Sequence, residues 1–359
     1  MKIKLHNIFK KKLDANSLKI TSENIAEHRK EVLAAGRKFK YPVQISGKKI
    51  VFGSAAIALV VVSAFSVYVW HNLYRVQNTA ALFYNAARVL PLPVARVDGE
   101  SVRFDAYLRL IRADIHYYIT QERRAFNSKE GSEELNSHKR NELRNAERAA
   151  YARKVARQMG LKLTDQELQD KINADLKADS STEETLVNTL KEYYGWSMDD
   201  YRSVLRGQLL ERKVACALDT DAKSKLDQIQ ARLQKGDDFA TVAREMSDDA
   251  DSKQRGGAVV VTRSTEDPTG VLRAIKGKQP GTVLPPLQVK LADAYYYYIV
   301  RFDGIDKDEF TDKEQTKYSL ITVRLSKFDH DFKQLIEQNK ITEYIAVPRE
   351  QDLKVKSAK

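Results

Sequence analysis

The rhythm of apolar and polar positions changes along the chain. Residues 1–49 are polar with scattered apolar positions; they hold either a short helix over 22–35, stopped by Gly36, or a loosely ordered leader. Residues 50–70 (IVFGSAAIALVVVSAFSVYVW) are then uniformly apolar, with no charged residue, His, Asn, Gln or Pro. A bilayer core of roughly 30 Å needs about 20 such residues in a helix. The run therefore predicts a transmembrane helix over 50–71. A helical linker is expected from residue 72, with Pro91 and Pro93 as punctuation before residue 94.

Beyond the linker the periods are those of a folded domain. Residues 94–104 (VARVDGESVRF) predict a hairpin, because Asp98-Gly99 sits between two apolar runs. Phe104, Leu108, Ile111, Ile115 and Ile119 form a stripe at helical spacing. The polar segment 127–137 (NSKEGSEELNS) reads as a loop, and the next helix is expected from near His138 to Met159, stopped by Gly160. Thr164 with Glu167 forms a capping box. Ser197 should cap a helix that turns Tyr201, Leu205 and Leu209 inward, and Thr220 should cap the one after it, ending at Gly236. Asp238 should start the next, with Phe239, Val242, Ala243 and Met246 on its face. After it, short strand-like runs alternate with loops, which suggests an α+β unit.

Charge changes the picture at the N-terminal end. The chain has 61 Lys and Arg against 49 Asp and Glu, a net +12. Residues 1–49 hold thirteen basic and four acidic residues, so most of the excess lies there. Lys48 and Lys49 abut the apolar run, and Tyr68, Trp70 and Tyr74 mark its far end. Positive residues stay on the cytoplasmic side and aromatic rings favour the interface, so the N-terminus is expected inside. The basic tail suits anionic inner-leaflet lipid, and no nucleic-acid surface is expected on the remainder. A cleavable signal peptide is the competing reading. It would need a 49-residue leader before its apolar region, and no A-x-A site follows the run. The single cysteine, Cys216, excludes an internal disulfide, and too few ligands are present for a zinc cluster. No cofactor is expected.

Two stretches resemble known domains. The order of the VDGE hairpin, long helices, ARQMGLKLTDQEL and YGWSMDDYRSVLRGQLLERKV is similar to the N-terminal chaperone domain of the SurA/PrsA/PpiD foldases, here over 94–215. KGDDFATVAREMSDD, the Gly256-Gly257 pair, KQPGTVLPP and YYYIVRF resemble a parvulin (PpiC-type) peptidyl-prolyl isomerase domain, here over 216–304. The resemblance implies that a C-terminal strand and helix over 305–346 complete the chaperone domain, before a flexible tail over 347–359. It also implies a site with two histidines beneath a proline pocket, a Cys or Asp beside it and an apolar wall.

This sequence departs from that site. None of its six histidines falls between 216 and 304. The first strand should precede the helix at Asp221, where VACALDTD has no histidine and little strand character. The second histidine position falls on Tyr298, and Asp249 fits the Cys/Asp position. The wall positions fall loosely on Asp267 and Val271, with Met246 nearby. Val260 stands where a glycine is usual. Asp249 and Tyr298 are thus the catalytic candidates, and Val271, Asp267 and Met246 the substrate-binding ones. In the tyrosine run 295–298, alternate residues should face opposite sides, two inward and two toward solvent or a client peptide.

The resemblance implies a chaperone or foldase for secreted proteins whose isomerase domain is degenerate. The whole reading is an α+β protein with one N-terminal transmembrane helix, tethered to a bacterial-type cytoplasmic membrane with its folded part outside, in the periplasm or cell-wall space. Its expected partners are unfolded or nascent secreted polypeptides, the membrane itself and the translocation machinery. Two alternatives stay open: an active prolyl isomerase and a non-enzymatic envelope scaffold.

Overall fold

The computed structural model describes residues 22–40, 47–262, 267–292, 294–307 and 314–348. The expectations for residues 1–21 and for the tail beyond residue 348 lie outside these. The chain divides into two units, Met1–Tyr68 and Val69–Lys359.

In the first unit, helix α1 (Ser22–Lys40) runs through Gly36 rather than stopping there. An isolated glycine costs a helix only about 1 kcal/mol. Helix α2 (Gly47–His71) carries the apolar run. Among the described residues one helical stretch, Val51–Val76, is long and apolar enough to cross a membrane. Residues 51–68 of it are all exposed, Phe52 at 73% and Ile57 at 68%, whereas Val69 and Leu73 are buried.

The second unit is mostly helical, and its main core begins at Val69 and Leu73. The segment after α2 is a π-helical turn (Asn72–Val76) followed by α3 (Ala81–Val89). The hairpin forms as strands β1 (Pro93–Val97) and β2 (Glu100–Arg103), with Asp98 and Gly99 both left-handed at the turn. Helix α4 (Phe104–Thr120) buries Phe104, Leu108 and Ile111, while Ile119 at its end is 51% exposed. Helix α5 (Lys129–Gln158) starts well before His138, so the polar stretch 127–137 is mostly helix rather than loop. Ser128 accepts from Gly131 N and sets that start. The expected capping box forms on α6 (Asp165–Ala178), and Ser197 caps α8 (Met198–Leu218) as expected, in a second box with Asp200. Between them lie α7 (Glu183–Thr189) and a second π turn (Leu190–Tyr194). Leu205 and Leu209 of α8 pack with Leu168 and Ile172 of α6.

Helix α8 continues to Leu218 and turns directly into α9 (Thr220–Gln234), so no strand precedes Asp221. The cap of α9 is Asp219, not Thr220. One carboxylate oxygen accepts from Ala222 N at 2.9 Å, and the other accepts from Ser326 N and Lys327 N at 2.7 and 3.0 Å. Helices α10 (Phe239–Met246) and α11 (Ala250–Gln254) follow, then β3 (Ala258–Thr262), α12 (Val271–Ile275), β4 (Leu287–Leu291) and β5 (Ala294–Lys307).

Strand β6 (Glu314–Leu325) enters the same sheet, in the order β3-β6-β5-β4, all antiparallel. Of the stretch 305–346, expected to complete the chaperone domain, this first strand instead joins the four-stranded sheet, while the helix and last strand that follow return to the helical part. Its alternating Tyr318, Leu320 and Ile321, Val323 faces fit a central strand with a core on each side. Gly257 permits the close approach of β3 to β6. It has φ +86°, and a Cβ there would lie 2.7 Å from Leu320 O.

After β6 the chain leaves the sheet. Helix α13 (Lys327–Glu337) buries Phe328, Phe332 and Leu335, with Phe328 and Phe332 against Tyr151 of α5. Each such burial contributes about 1.5–3 kcal/mol. Strand β7 (Ile341–Glu343) then pairs with β1 to make a three-stranded sheet. Val347 is 6% exposed, and Arg140 donates to the carbonyls of Val347 and Pro348. The end of the described chain is therefore pinned at 347–348, where a fraying tail was expected to begin.

Candidate functional site

Strand β5 builds the site by alternation. Tyr295, Tyr297 and Ile299 enter the core shared with α9 and α10. Tyr298, Val300 and Phe302 enter a second core with Tyr318 and Leu320 of β6, Val289 of β4 and Val271 and Ile275 of α12. Neither face is left to solvent: of the four tyrosines Tyr296 is half-buried and the other three are buried. The expectation of two solvent-facing tyrosines fails because β5 is an inner strand covered on both sides.

Four of the five candidate residues gather around this second face. Tyr298 is 7% exposed, and its ring lies 6.0 Å from that of Tyr296. Burial pushes its hydroxyl up to about 12, with Tyr296, the Asp249 carboxylate and Tyr318 adding to the effect. Asp249 is the N-cap of α11 and accepts from Ser252 N at 2.8 Å and from the Ser252 hydroxyl. Asp267 accepts from Arg273 N at 2.7 Å, which ties it to the backbone of α12. Val271 is 1% exposed. Met246 is the exception: it packs against the main core, on the other side of the sheet.

One residue escapes a reading of 216–304 alone. Thr322 of β6 lies directly across from Tyr298. It is 3% exposed, and its hydroxyl has no partner among the described residues. Its backbone is held by Ser247, which accepts from Thr322 N, and by Asp248 N, which donates to Thr322 O. The i, i+2 spacing of Tyr318, Leu320 and Thr322 was visible, but the strand's place beside Tyr298 depends on a distant pairing.

Chemically, this face offers neutral hydroxyls and packed apolar side chains. Tyr298 stays protonated throughout the physiological range. The carboxylates of Asp249 and Asp267 are engaged in holding short helices. Such groups can donate or accept hydrogen bonds, but a proline ring would need the space that Val271, Ile275 and Leu284 fill.

A larger opening lies elsewhere. A cavity of about 760 Å³ separates α6 and α8 from α12 and β4. Ile172, Leu176, Leu205 and Val289 are among its apolar lining. Arg273 reaches across it to Asp179 at 3.1 Å and Asp175 at 3.8 Å.

The helical part and the sheet part each match a family. The SurA-like N-terminal domain family matches residues 46–215, and the PPIC-type PPIASE domain family matches residues 213–303. The combination is consistent with a foldase of the SurA/PrsA type. The chain is 26% identical over 133 residues to a protein titled Chaperone SurA from Xylella fastidiosa strain 9a5c. The match covers 37% of this chain and 28% of that protein, and the Temecula1 strain's Chaperone SurA matches to the same extent. The chain thus spans little more than a quarter of the length of these relatives.

Proposed function

We propose that this protein is a membrane-tethered, extracytoplasmic chaperone that holds unfolded secreted polypeptides and lacks efficient prolyl isomerisation. The observation that carries the reading is the cavity between α6 and α8 on one side and α12 and β4 on the other. Its volume is in the range of ligand-binding clefts. Its apolar floor suits weak, unspecific contact with unfolded chains, and Lys171, Asp175, Arg212 and Lys290 at its border keep it wet. The helical stretch Val51–Val76 is the anchor, with the basic tail at the inner leaflet and the folded part outside. Tethering raises the effective concentration of the folded part where secreted chains emerge, near the translocation machinery.

Loss of isomerase activity follows from the filled face around Tyr298 and the absence of histidine from 216–304. Asp249 and Tyr298 are polar groups at that face, Asp267 and Val271 are capping and packing residues around it, and Met246 packs on the other side of the sheet.

The test is suppression of aggregation of a chemically unfolded protein by the full chain in detergent micelles. Suppression is expected, and Leu186→Glu, at the half-buried edge of the cavity, should reduce it severalfold. A wild-type protein without effect on aggregation would sink the chaperone reading and leave the scaffold.

A further inference from the structure

The PPIC-type sheet has an open edge away from Tyr298. Strand β3 ends the sheet, with β6 on one side and no strand on the other among the described residues. Leu320 N donates to Gly257 O, so Gly257, Val259 and Val261 carry the ladder bonds to β6. Ala258, Val260 and Thr262 therefore turn their backbone groups outward. Ala258 is occupied, since its N donates to Arg255 O and its O accepts from Arg255 Nε. Val260 is left with an outward N–H and C=O, and its side chain is 56% exposed. A valine with an open backbone on a sheet edge is a template for another strand.

An apolar groove of about 510 Å³ lies beside this edge. Val261 pairs with Thr316, and Thr316 pairs with Ile305, so these three form one row across the sheet at its wall. Leu272, Ile275, Pro280 and Phe302 add to the apolar lining, and Ile305 is 60% exposed. At the rim stand Lys276 and Lys278, both exposed and without an ion-pair partner among the described residues. Ile305 is seven residues along β5 from Tyr298, roughly 20 Å at strand rise, so the far wall of the groove lies away from the candidate site, with Ile275 and Phe302 between the two.

We propose that β3 and this groove form a docking site for an extended segment of unfolded polypeptide, added as a fifth strand beside Val260. The open backbone asks for a strand. The row from Val261 to Ile305 asks for a large apolar side chain at alternate positions. The two rim lysines line the same face, so they ask for an acidic residue at a further groove-facing position of the added strand. The ligand class is thus an extended segment whose groove-facing positions, every second residue, carry large apolar and acidic side chains, bound by β-augmentation. This names a substrate preference within the chaperone reading and rests on it.

The test uses the full chain in detergent micelles and two labelled twelve-residue peptides. In one, every second position is Phe, Val or Glu, with Ser between them; in the other, Lys replaces Glu. The acidic peptide is expected to bind at least tenfold more tightly than the basic one. Lys276→Glu with Lys278→Glu should reverse that preference. Val260→Pro should weaken the acidic peptide at least fivefold, because proline removes the outward N–H without breaking a ladder bond. Absence of binding, equal binding of the two peptides, or a preference untouched by charge reversal would overturn the proposal. So would a peptide-independent dimer abolished by Val260→Pro, which would give the edge to a second copy. The aggregation assay run in parallel separates the two readings. If the wild type suppresses aggregation and the variants do so equally, the chaperone reading stands and this site falls. If the wild type does not suppress it, the chaperone reading falls, and the peptide titrations still judge the edge.

Discussion

The helical part of the second unit buries charges; the sheet face around Tyr298 buries neutral hydroxyls. In the helical part Glu147 is fully buried, Arg148 and Glu211 are 5% and 4% exposed, and Arg140 is 4% exposed. Each contacts a partner from a distant stretch of chain. Arg148 of α5 lies 3.0 Å from Glu211 of α8 and 2.9 Å from Asp329 of α13, beneath the rings of Phe328 and Phe332. Arg140 lies 2.6 Å from Glu343 of β7. On the sheet face, Tyr298, Tyr318 and Thr322 are buried without a formal charge. Charge in the helical part serves to fix where the returning C-terminal segment docks. The sheet face is where chemistry would be expected, yet it contains little that could titrate or attack.

The comparison breaks most visibly at Arg148. Arg148→Ala would leave Asp329 without this cation and Glu211 with only Lys290, at 3.7 Å, and would remove the cover over Phe328. A loss of about 3–5 kcal/mol is expected. Denaturant unfolding of the protein measures it; a loss below about 1 kcal/mol would mean that the buried charges do not hold α13.

Glu147 makes the contrast pH-dependent. Burial raises its carboxyl to about 7, and Glu343 pushes the same way against Arg144 and Arg140. One of its oxygens has no partner among the described residues, as suits a protonated acid. The folded value lies above the unfolded value of about 4.3, so the folded state holds the proton longer. Stability therefore falls as pH rises from about 4.5 to about 7, and the cost levels off above that, at up to about 3 kcal/mol. Glu147→Gln should flatten this slope and raise the melting temperature at pH 8. A pH profile identical to the wild type would show that Glu147 is ionised in the fold.

Several of these features were legible in the residue pattern and others were not. The hairpin at Asp98-Gly99 and the caps at Thr164 and Ser197 are set by neighbours within a few residues, and their signals are local. Helix α5 hid its first turns because its early face is polar and its buried positions are largely alanine, such as Ala146, Ala150 and Ala152. The entry of β6 beside β5 was illegible for a different reason. Its alternation predicts a strand, but its partner is fixed by tertiary contacts such as Gly257 against Leu320. The same non-local pairing concealed Thr322, while Asp219 was overlooked in favour of Thr220 because its second set of acceptor contacts comes from residues 326–327.

On the sheet face the expected effects are smaller. Thr322→Val removes a hydroxyl that has no partner and preserves the shape of the side chain. Stability should stay level or rise by up to about 1 kcal/mol, since no hydrogen bond is lost. A loss above that figure would reveal a partner for the hydroxyl and would make this face more polar than the comparison holds.

The smallest effect is expected at the residue that would matter most to an isomerase. Tyr298→Phe keeps the ring in its core and removes only the hydroxyl. If the face is packing rather than catalytic machinery, stability should change by less than about 1 kcal/mol. The exchange rate of a proline peptide should equal that in buffer for the wild type and the variant alike. Uncatalysed exchange takes tens of seconds, slow enough for even modest acceleration to register. An active isomerase predicts the opposite pattern: acceleration by the wild type, lost in Tyr298→Phe and in Asp249→Asn, which keeps an oxygen for the α11 cap. That result would place chemistry on the uncharged face and would require the packing of Val271 and Ile275 to open for a proline ring.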